Sequence, residues 1–258
     1  MFLKSLNPSL KAGTITFVIM MLAFVFDPIT PLLLLIWTMG ITILFGQVSL
    51  KKWLFYFSPF LILAFGFFWT TIVFSKESAS TGTVPIFWLE VPIDTFIIAI
   101  SLSLRVLCFS ALSLLFIFTT KPTDFILSLM QQCKLPPKLA YGILAGFRFL
   151  PMLKEELFII RSAHRVRGVN RAKSLKHYAE NVKRYSIPLL ASSIRKAERT
   201  AIAMESKGFT GEKGRTFYRT MRITRNDWLF VFIMIAYLIG CSLISWKLGF
   251  FQFYKGQL

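Results

Sequence analysis

The sequence predicts an all-α, multi-spanning helical membrane protein with a large helical segment outside the membrane. Of its 258 residues, 55% are hydrophobic and only 16% are charged, whereas soluble domains carry about 25% charged residues. The apolar residues come in blocks, and a helix needs roughly 20 such residues to cross a bilayer. One further stretch is too polar for the membrane but keeps a helical pattern. These observations predict that most of the chain lies in the bilayer and that one segment projects from it.

Five apolar blocks are predicted to be membrane helices, at about 12–26, 29–46, 53–74, 93–119 and 228–246. The first two form a tight hairpin, because Pro28 and Pro31 disfavour helix in the residues before them. The first block is short for a full crossing, which a tilt or a locally thinned bilayer would accommodate. The predicted organisation is therefore a membrane part at 1–120, cytoplasmic or interfacial helices at 121–226, and a last span within 227–258.

The distribution of charge orients the chain. The net charge is +18, and the stretch 154–225 holds 18 of the 30 Lys and Arg but only six of the 12 acids. Excess positive charge beside spans marks the cytoplasmic side, and it attracts anionic lipid headgroups or an acidic partner. Lys11 before the first hairpin and Lys51 after it place both ends of that hairpin in the cytoplasm as well. The loop 75–92 carries one Lys and two acids, which predicts the outer side of the cell membrane.

Two cations lie within or beside apolar blocks. Arg105 stands near the middle of the fourth span, where a buried charge is costly and by default indicates a functional site. The alternative is a structural pairing with a backbone carbonyl or with an acid on another helix, Asp27 or Asp94. Arg148 belongs to an apolar stretch, 139–153, that is too short to cross. It is predicted to lie at the membrane interface, where its head can reach water.

Two helices of the basic segment are predicted to end in the same way. The first, 152–168, has acids in its first turns and arginines in its last turns, as the helix dipole favours. The second, 187–208, begins with a proline in its first turn and has a lysine next to its end. Gly168 and Gly208 stand where the residue after a helix is commonly a glycine in the left-handed conformation.

Each basic ending by itself is typical of a capped amphipathic helix at a membrane surface. Two such endings in one segment favour a second interpretation, because small residues such as Ala163 lie near the tips. A protruding helix end could then enter a groove on a partner protein. There the terminal cation, Arg167 or Lys207, would pair with a carboxylate.

The residues give little support for catalysis. The two histidines, His164 and His177, have no acid or cysteine at ligand spacing, so no metal site is predicted. The string at 208–216 lacks the spacing of a phosphate-binding loop. The sequence therefore predicts a protein that is not an enzyme and needs no cofactor, and the membrane spans argue against a nucleic-acid partner.

The stretch 119–209 resembles the transmembrane T component of energy-coupling-factor importers. The marks are a threonine pair followed by Pro and Asp, a Pro before an apolar helix, an Arg-Phe-Leu-Pro run, and two short signatures at helix ends. The first three marks stand at Thr119, Thr120, Pro122, Asp124, Pro137 and 148–151. The opening NPSLKAG is similar to the start of the family as well, so the likeness extends over most of the chain.

Seven residues, called the signature residues below, match the two helix-end signatures: Ala163, Arg165, Arg167, Gly168, Ser206, Lys207 and Gly208. The family usually has an arginine where this chain has Lys207. The lysine keeps the position cationic but lacks the two-pronged pairing that an arginine makes with a carboxylate.

The resemblance implies a membrane scaffold joined to long cytoplasmic coupling helices. Its partners would be two ABC-type ATPase subunits and a separate membrane subunit that binds a vitamin or a metal ion. By the same resemblance, the chain would convert closure of the ATPases into reorientation of the substrate-binding subunit.

Two other classes of function stay open from the residues alone. A membrane enzyme acting on lipid or isoprenoid phosphates would use the basic segment to hold the anion, but it needs metal-binding acids or a nucleophile that the sequence does not show. An autonomous transporter or channel would need polar residues in several spans. Apart from Arg105, the spans are nearly all apolar.

Overall fold

The computed structural model describes residues 2–25, 27–74, 83–86, 89–168, 175–212 and 216–249. These residues form nine α-helices and two short β-strands. In chain order they are α1 (Phe2–Ser5), α2 (Pro8–Ala23), α3 (Ile29–Leu44), α4 (Leu50–Val73), β1 (Thr83–Ile86), β2 (Leu89–Pro92), α5 (Ile93–Thr119), α6 (Pro122–Gln132), α7 (Pro137–Val166), α8 (Leu175–Ser206) and α9 (Arg225–Lys247). The predicted all-α class is confirmed.

The two strands lie in the region that was predicted to be a loop. They pair antiparallel with each other and with no other described strand. The rest of that predicted loop, 75–82 with 87 and 88, lies outside the described residues, as does the end of the chain at 250–258.

The apolar blocks predicted from the sequence all become helices. Three of them are long and apolar enough to cross a membrane, namely Leu50–Val73, Thr95–Thr119 and Arg225–Lys247. The helices α2 and α3 have 16 residues each, which extends each of them about 24 Å. A bilayer core is about 30 Å thick, so the first hairpin is shorter than a full crossing in both of its arms.

Contacts divide the chain into two compact units. The first unit comprises Met1–Ser128 and Met221–Leu258, and the second comprises Leu129–Thr220. The second unit therefore contains α7 and α8, and it carries most of the basic stretch.

The helix α5 is the centre of the first unit, where it packs against α2, α3 and α4. Its buried face includes the small residues Ala99, Ser101 and Ala111. Small residues let helix backbones approach closely, which matters in lipid because apolar surface gains nothing by leaving an apolar solvent. The helix α9 closes the other side, where Tyr237 stacks on Trp37 with ring centroids 4.3 Å apart.

In the second unit, α7 and α8 are longer than the sequence predicted. Helix starts at 152 and 187 were wrong, since α7 runs through Pro151 and α8 runs through Pro188. A proline inside a helix removes one hydrogen bond and clashes with the preceding turn, so its local cost favours a boundary. Packing between the two helices outweighs that cost near Pro151. Phe149 and Leu153, on either side of it, line one depression together with Ser193 of α8.

Candidate functional site

The end of α8 carries a complete Schellman motif, in which two backbone N–H groups after the helix return to its last turn. Gly208 adopts a left-handed φ of 80°. Its N–H donates to the carbonyl of Glu205 at 2.8 Å, and the N–H of Phe209 donates to the carbonyl of Met204 at 3.0 Å. This pattern satisfies carbonyls that a helix end otherwise leaves without partners. The prediction of a glycine just beyond the helix is confirmed.

The end of α7 shares the left-handed glycine and the first of these two bonds. Gly168 has a left-handed φ of 82°, and its N–H donates to the carbonyl of Arg165 at 3.1 Å. The N–H of Arg167 donates to the carbonyl of Ala163 at 3.2 Å. Both helices thus stop sharply at a glycine, with a cation in the residue just before it.

All seven signature residues are exposed in the second unit. Val166, which lies between two of them at the end of α7, is 90% exposed, so this tip projects away from its own helix pair. In the described part of the chain, Arg165, Arg167 and Lys207 form no ion pair.

The helices α7 and α8 run antiparallel. Glu156 of α7 bonds to Ser192 and Lys196 of α8, and the ring of His164, further along α7, meets the ring of Tyr185, which is earlier in α8, at 5.4 Å. The C-terminal ends of the two helices consequently lie at opposite ends of the pair.

A ring contact fixes the position of the second tip. Just after α8, Phe209 meets Tyr141 near the start of α7, with ring centroids 5.3 Å apart. From Tyr141 to Arg167 the rise of an α-helix covers roughly 39 Å. The two signatures are thus two separate sites.

Glu156 holds the middle of the helix pair through two side chains of α8. Its carboxylate accepts hydrogen bonds from the Lys196 ammonium and the Ser192 hydroxyl, and these bonds lower the pKa of the Glu156 carboxyl. Lys196 is 37% exposed. Solvent therefore screens the pair, and such exposed pairs contribute about 0–1 kcal/mol.

Sequence reasoning did not identify this cluster. Ser192 and Lys196 stand four residues apart, which places them on one face of α8. That spacing can be found in the sequence, but it does not identify the partner of the two side chains. The acid that faces them is 36 residues away along the chain from Ser192, and only the packing of α7 on α8 pairs them.

Arg105 lies inside the first unit, where its side chain is 7% exposed. Its guanidinium donates to the carbonyl of Val25, in the turn between α2 and α3. Ser101, one turn earlier on α5, donates to the carbonyl of Asp27 at 3.0 Å. The Asp27 carboxylate in turn accepts bonds from the backbone N–H and the hydroxyl of Thr30, at 3.2 and 2.5 Å.

The remaining predictions concern Arg148 and metal binding. Arg148 is exposed on α7. Among the described residues, no group of three or more His, Cys, Asp or Glu side chains could hold a metal ion. His164 contacts an aromatic ring instead.

The fold and the site define a class, a helical membrane protein with a basic helical unit that presents two cationic helix ends. A family model described as Cobalt transport protein (CbiQ) matches residues 1–218. The chain belongs to this family, which includes the transmembrane components of energy-coupling factor transporters.

Relatives named "Energy-coupling factor transporter transmembrane protein EcfT" agree with this. The protein of Exiguobacterium sibiricum is 30% identical over 200 residues, covering 74% of each chain. That of Ruminiclostridium cellulolyticum is 27% identical over 242 residues, covering 90% of this chain and 89% of its own. That of Lactococcus lactis is 26% identical over 226 residues, covering 84% and 82%. The resemblance that the sequence motifs predicted is confirmed.

Proposed function

We propose that this protein is the scaffold of an energy-coupling factor importer, in which it couples ATP hydrolysis by two ABC-type ATPase subunits to reorientation of a separate substrate-binding membrane subunit. The observation that carries the proposal is the pair of exposed cationic helix ends at opposite ends of the α7–α8 pair. Membership of the family supports a place in an energy-coupling factor transporter. The arrangement of the helix ends supports the coupling of ATPase closure to movement of α7 and α8.

Two separate helix ends suit two ATPase subunits. A helix is about 10–12 Å across with its side chains, and the ends lie roughly 39 Å apart along α7. One groove cannot hold both of them. Each end would enter a groove of its own subunit, with Arg167 or Lys207 paired to a carboxylate there. When the ATPases close, the two grooves would shift relative to each other and change the angle between α7 and α8.

An apolar surface of the second unit suits the substrate-binding membrane subunit. Leu139, Ile143, Phe147 and Leu150 follow at helical spacing on the first half of α7, and all four are exposed. A stripe of this kind is stable against lipid or against another membrane protein, but not against water. We propose that this stripe contacts the substrate-binding subunit and that lipid covers it when that subunit is not bound.

The proposed location is the cell membrane, with the basic stretch 154–225 in the cytoplasm and near anionic lipid headgroups. The positive-inside rule supports this orientation. The substrate would be a vitamin or a metal ion recognised by the separate subunit. Hydrolysis of ATP would belong to the ATPases, so the chain itself would not be an enzyme.

Co-purification tests the proposal. The tagged chain is purified in mild detergent from its own cells, and the retained ABC ATPases are identified and quantified. We expect the wild type to retain them and the Arg167→Ala, Lys207→Ala double variant to retain about tenfold less, because a loss of about 1.4 kcal/mol of binding free energy has that effect.

The matched control is the Lys154→Ala, Arg195→Ala double variant. It also removes one exposed cation from each helix, but from positions far from either end. Equal loss in the control would mean that overall charge attracts the ATPases, and not the two helix ends. Absence of any ATPase from the wild-type preparation would contradict the proposed function as a whole.

A further inference from the structure

A buried lysine joins three segments of the first unit. Lys11 is 1% exposed. Its ammonium group donates to the carbonyl of Leu3 at 2.5 Å, to the hydroxyl and carbonyl oxygens of Thr119 at 3.2 and 3.3 Å, and to the hydroxyl of Thr120 at 3.4 Å. An ammonium group has three donors and is costly to bury unless they are satisfied. Here they are satisfied by α1 and by the end of α5.

Hydrogen bonds in the same region also hold the start of α9. The backbone N–H of Asn7 donates to the Asp227 carboxylate at 2.6 Å. The other oxygen of that carboxylate accepts from the N–H and the hydroxyl of Thr224, at 2.6 and 2.8 Å. Thr224 and Asp227 are the N-cap and N3 residues of the capping box that begins α9. The Asn7 amide also reaches the carbonyl of Arg222 at 3.5 Å. We call this set the Lys11 network; its members are Leu3, Asn7, Lys11, Thr119, Thr120, Arg222, Thr224 and Asp227.

The network lies where the chain leaves and re-enters the first unit. The helix α5 ends at Thr119, shortly before the chain passes into the second unit, and α9 begins at Arg225, shortly after it returns. The chain therefore joins the two units at these two connections. The Lys11 network binds both of them to α1 and α2.

We infer that the Lys11 network is a positioning device that fixes both connections of the second unit to the membrane bundle. The inference rests on the proposed function, since only a coupling segment has a movement to transmit. Lys11 is a positioning residue, because it acts by holding the last turn of α5 and touches no partner. A cation also suits that place, since the carbonyl end of a helix carries partial negative charge and its last carbonyls lack helical partners.

Without the network, the last turn of α5 and the first turn of α9 would open when the second unit moved. The movement would then be absorbed by these turns and would not reach the bundle. The network should consequently affect the transmission of movement more than the assembly of the complex.

The test uses the complete complex purified with the ATPases of its own cell. A fluorophore is attached to Cys133, which is exposed in the second unit, while Cys108 and Cys241 are buried. The fluorescence change on adding a non-hydrolysable ATP analogue is compared in Thr119→Val and Thr119→Ser. The valine removes the hydroxyl that accepts from Lys11, and the serine keeps it.

We expect the response of the Thr119→Val complex to fall by about threefold or more, as substitutions along a coupling route do. ATPase capture should be retained, and Thr119→Ser should respond like the wild type. A second pair, Thr120→Val and Thr120→Ser, serves the same comparison if the first valine variant does not fold. Lys11→Met should reduce the response further, because it removes every donor at once.

A role in folding alone would lower the yield of complex but leave the response of the folded fraction unchanged. A full response in both valine variants would therefore overturn the inference. So would a loss of ATPase capture in Thr119→Val, because the helix ends that bind the ATPases lie in the other unit. If the wild type captures no ATPase, the proposed function fails first and this inference fails with it.

Discussion

At the scale of single residues, two buried cations hold backbone carbonyls in the first unit. Lys11 lies in the first turn of α2, and Arg105 contacts Val25 just beyond the end of the same helix. Each cation lies beside a helix end, where carbonyl groups lack partners within the helix. Lipid offers no hydrogen bonds, so a carbonyl exposed there costs several kcal/mol unless the protein supplies a donor.

The position of Arg105 follows from the short first hairpin. Because α2 extends only about 24 Å, the turn at its end falls short of the far side of a bilayer core of about 30 Å. Arg105 and Ser101 bring donors to that turn from the neighbouring helix. We therefore propose a structural role for Arg105, and not a place on a substrate pathway.

Arg105→Met tests this role. The substitution keeps most of the side-chain volume but leaves the Val25 carbonyl without its charged donor. We expect stability to fall by roughly 1.5–3 kcal/mol, the range for hydrogen bonds to charged groups, measured as a lower midpoint of thermal unfolding in detergent. Ser113→Ala is the control, because this serine lies on the same helix, is exposed, and donates to the carbonyl of Phe109 one turn earlier at 2.9 Å. An unchanged midpoint for Arg105→Met would contradict the structural role.

At the scale of elements, the two long helices of the second unit depend on glycines at their ends. Gly168 and Gly208 have φ near +80°, and a side chain in that left-handed conformation costs about 1–2 kcal/mol. Gly146, in the middle of α7, has helical geometry and open space where a Cβ would stand. The same substitution should therefore have opposite effects at the end and in the middle of one helix.

We expect Gly168→Ala to open the last turn of α7 and Gly146→Ala to stabilise the helix by about 1 kcal/mol. Hydrogen exchange should be faster at the backbone amides of 163–167 in the first variant and slower or unchanged in the second. ATPase capture should fall only in the first, because only that variant disturbs a docking end. Equal exchange in both variants would mean that the glycine end is not needed to form the tip.

At the scale of the whole molecule, the distribution of charge supports the proposed orientation in the membrane. The stretch 154–225 carries an excess of 12 positive charges, and α2 and α5 present Lys11 and Thr119 at one shared end of the first unit. Positive charge beside the spans favours the cytoplasmic side for that segment. The exposed thiol of Cys133 gives a direct way to measure it.

A membrane-impermeant maleimide should label Cys133 in inside-out vesicles and leave it unlabelled in right-side-out vesicles. Cys108 and Cys241 are buried, so Cys133→Ser should abolish the labelling of inside-out vesicles. Labelling of the wild type in right-side-out vesicles only would invert the proposed orientation, and with it the side on which the ATPases are sought.

Much of the architecture was predictable because its causes are local. A block of apolar residues prefers lipid whatever surrounds it, so the positions of α4, α5 and α9 could be found from hydropathy alone. The left-handed glycines after α7 and α8 were predictable for a similar reason, since helix capping depends on residues within one turn. The family motifs were visible as well, because they are short and ordered along the chain.

Other features depended on contacts between distant residues. Local cost at Pro151 and Pro188 predicts helix boundaries, but packing between α7 and α8 kept both helices continuous. From the sequence, Lys11 is interpreted as a cation that flanks the first hairpin and marks the cytoplasmic side of the membrane. Its burial depends on oxygen acceptors from Leu3 and from Thr119, which is 108 positions away.

The sequence by itself thus determined that the chain is a helical membrane protein, which family it belongs to, and where its two cationic helix ends stop. Those properties come from transfer free energies and capping rules that act over a few residues. Tertiary structure alone decided that α7 and α8 run antiparallel, so that their ends point apart, and that the Lys11 network joins α1, α5 and α9. The physical reason is that a pattern of residues limits which faces are buried, whereas the partner of each face is chosen by packing over the whole unit.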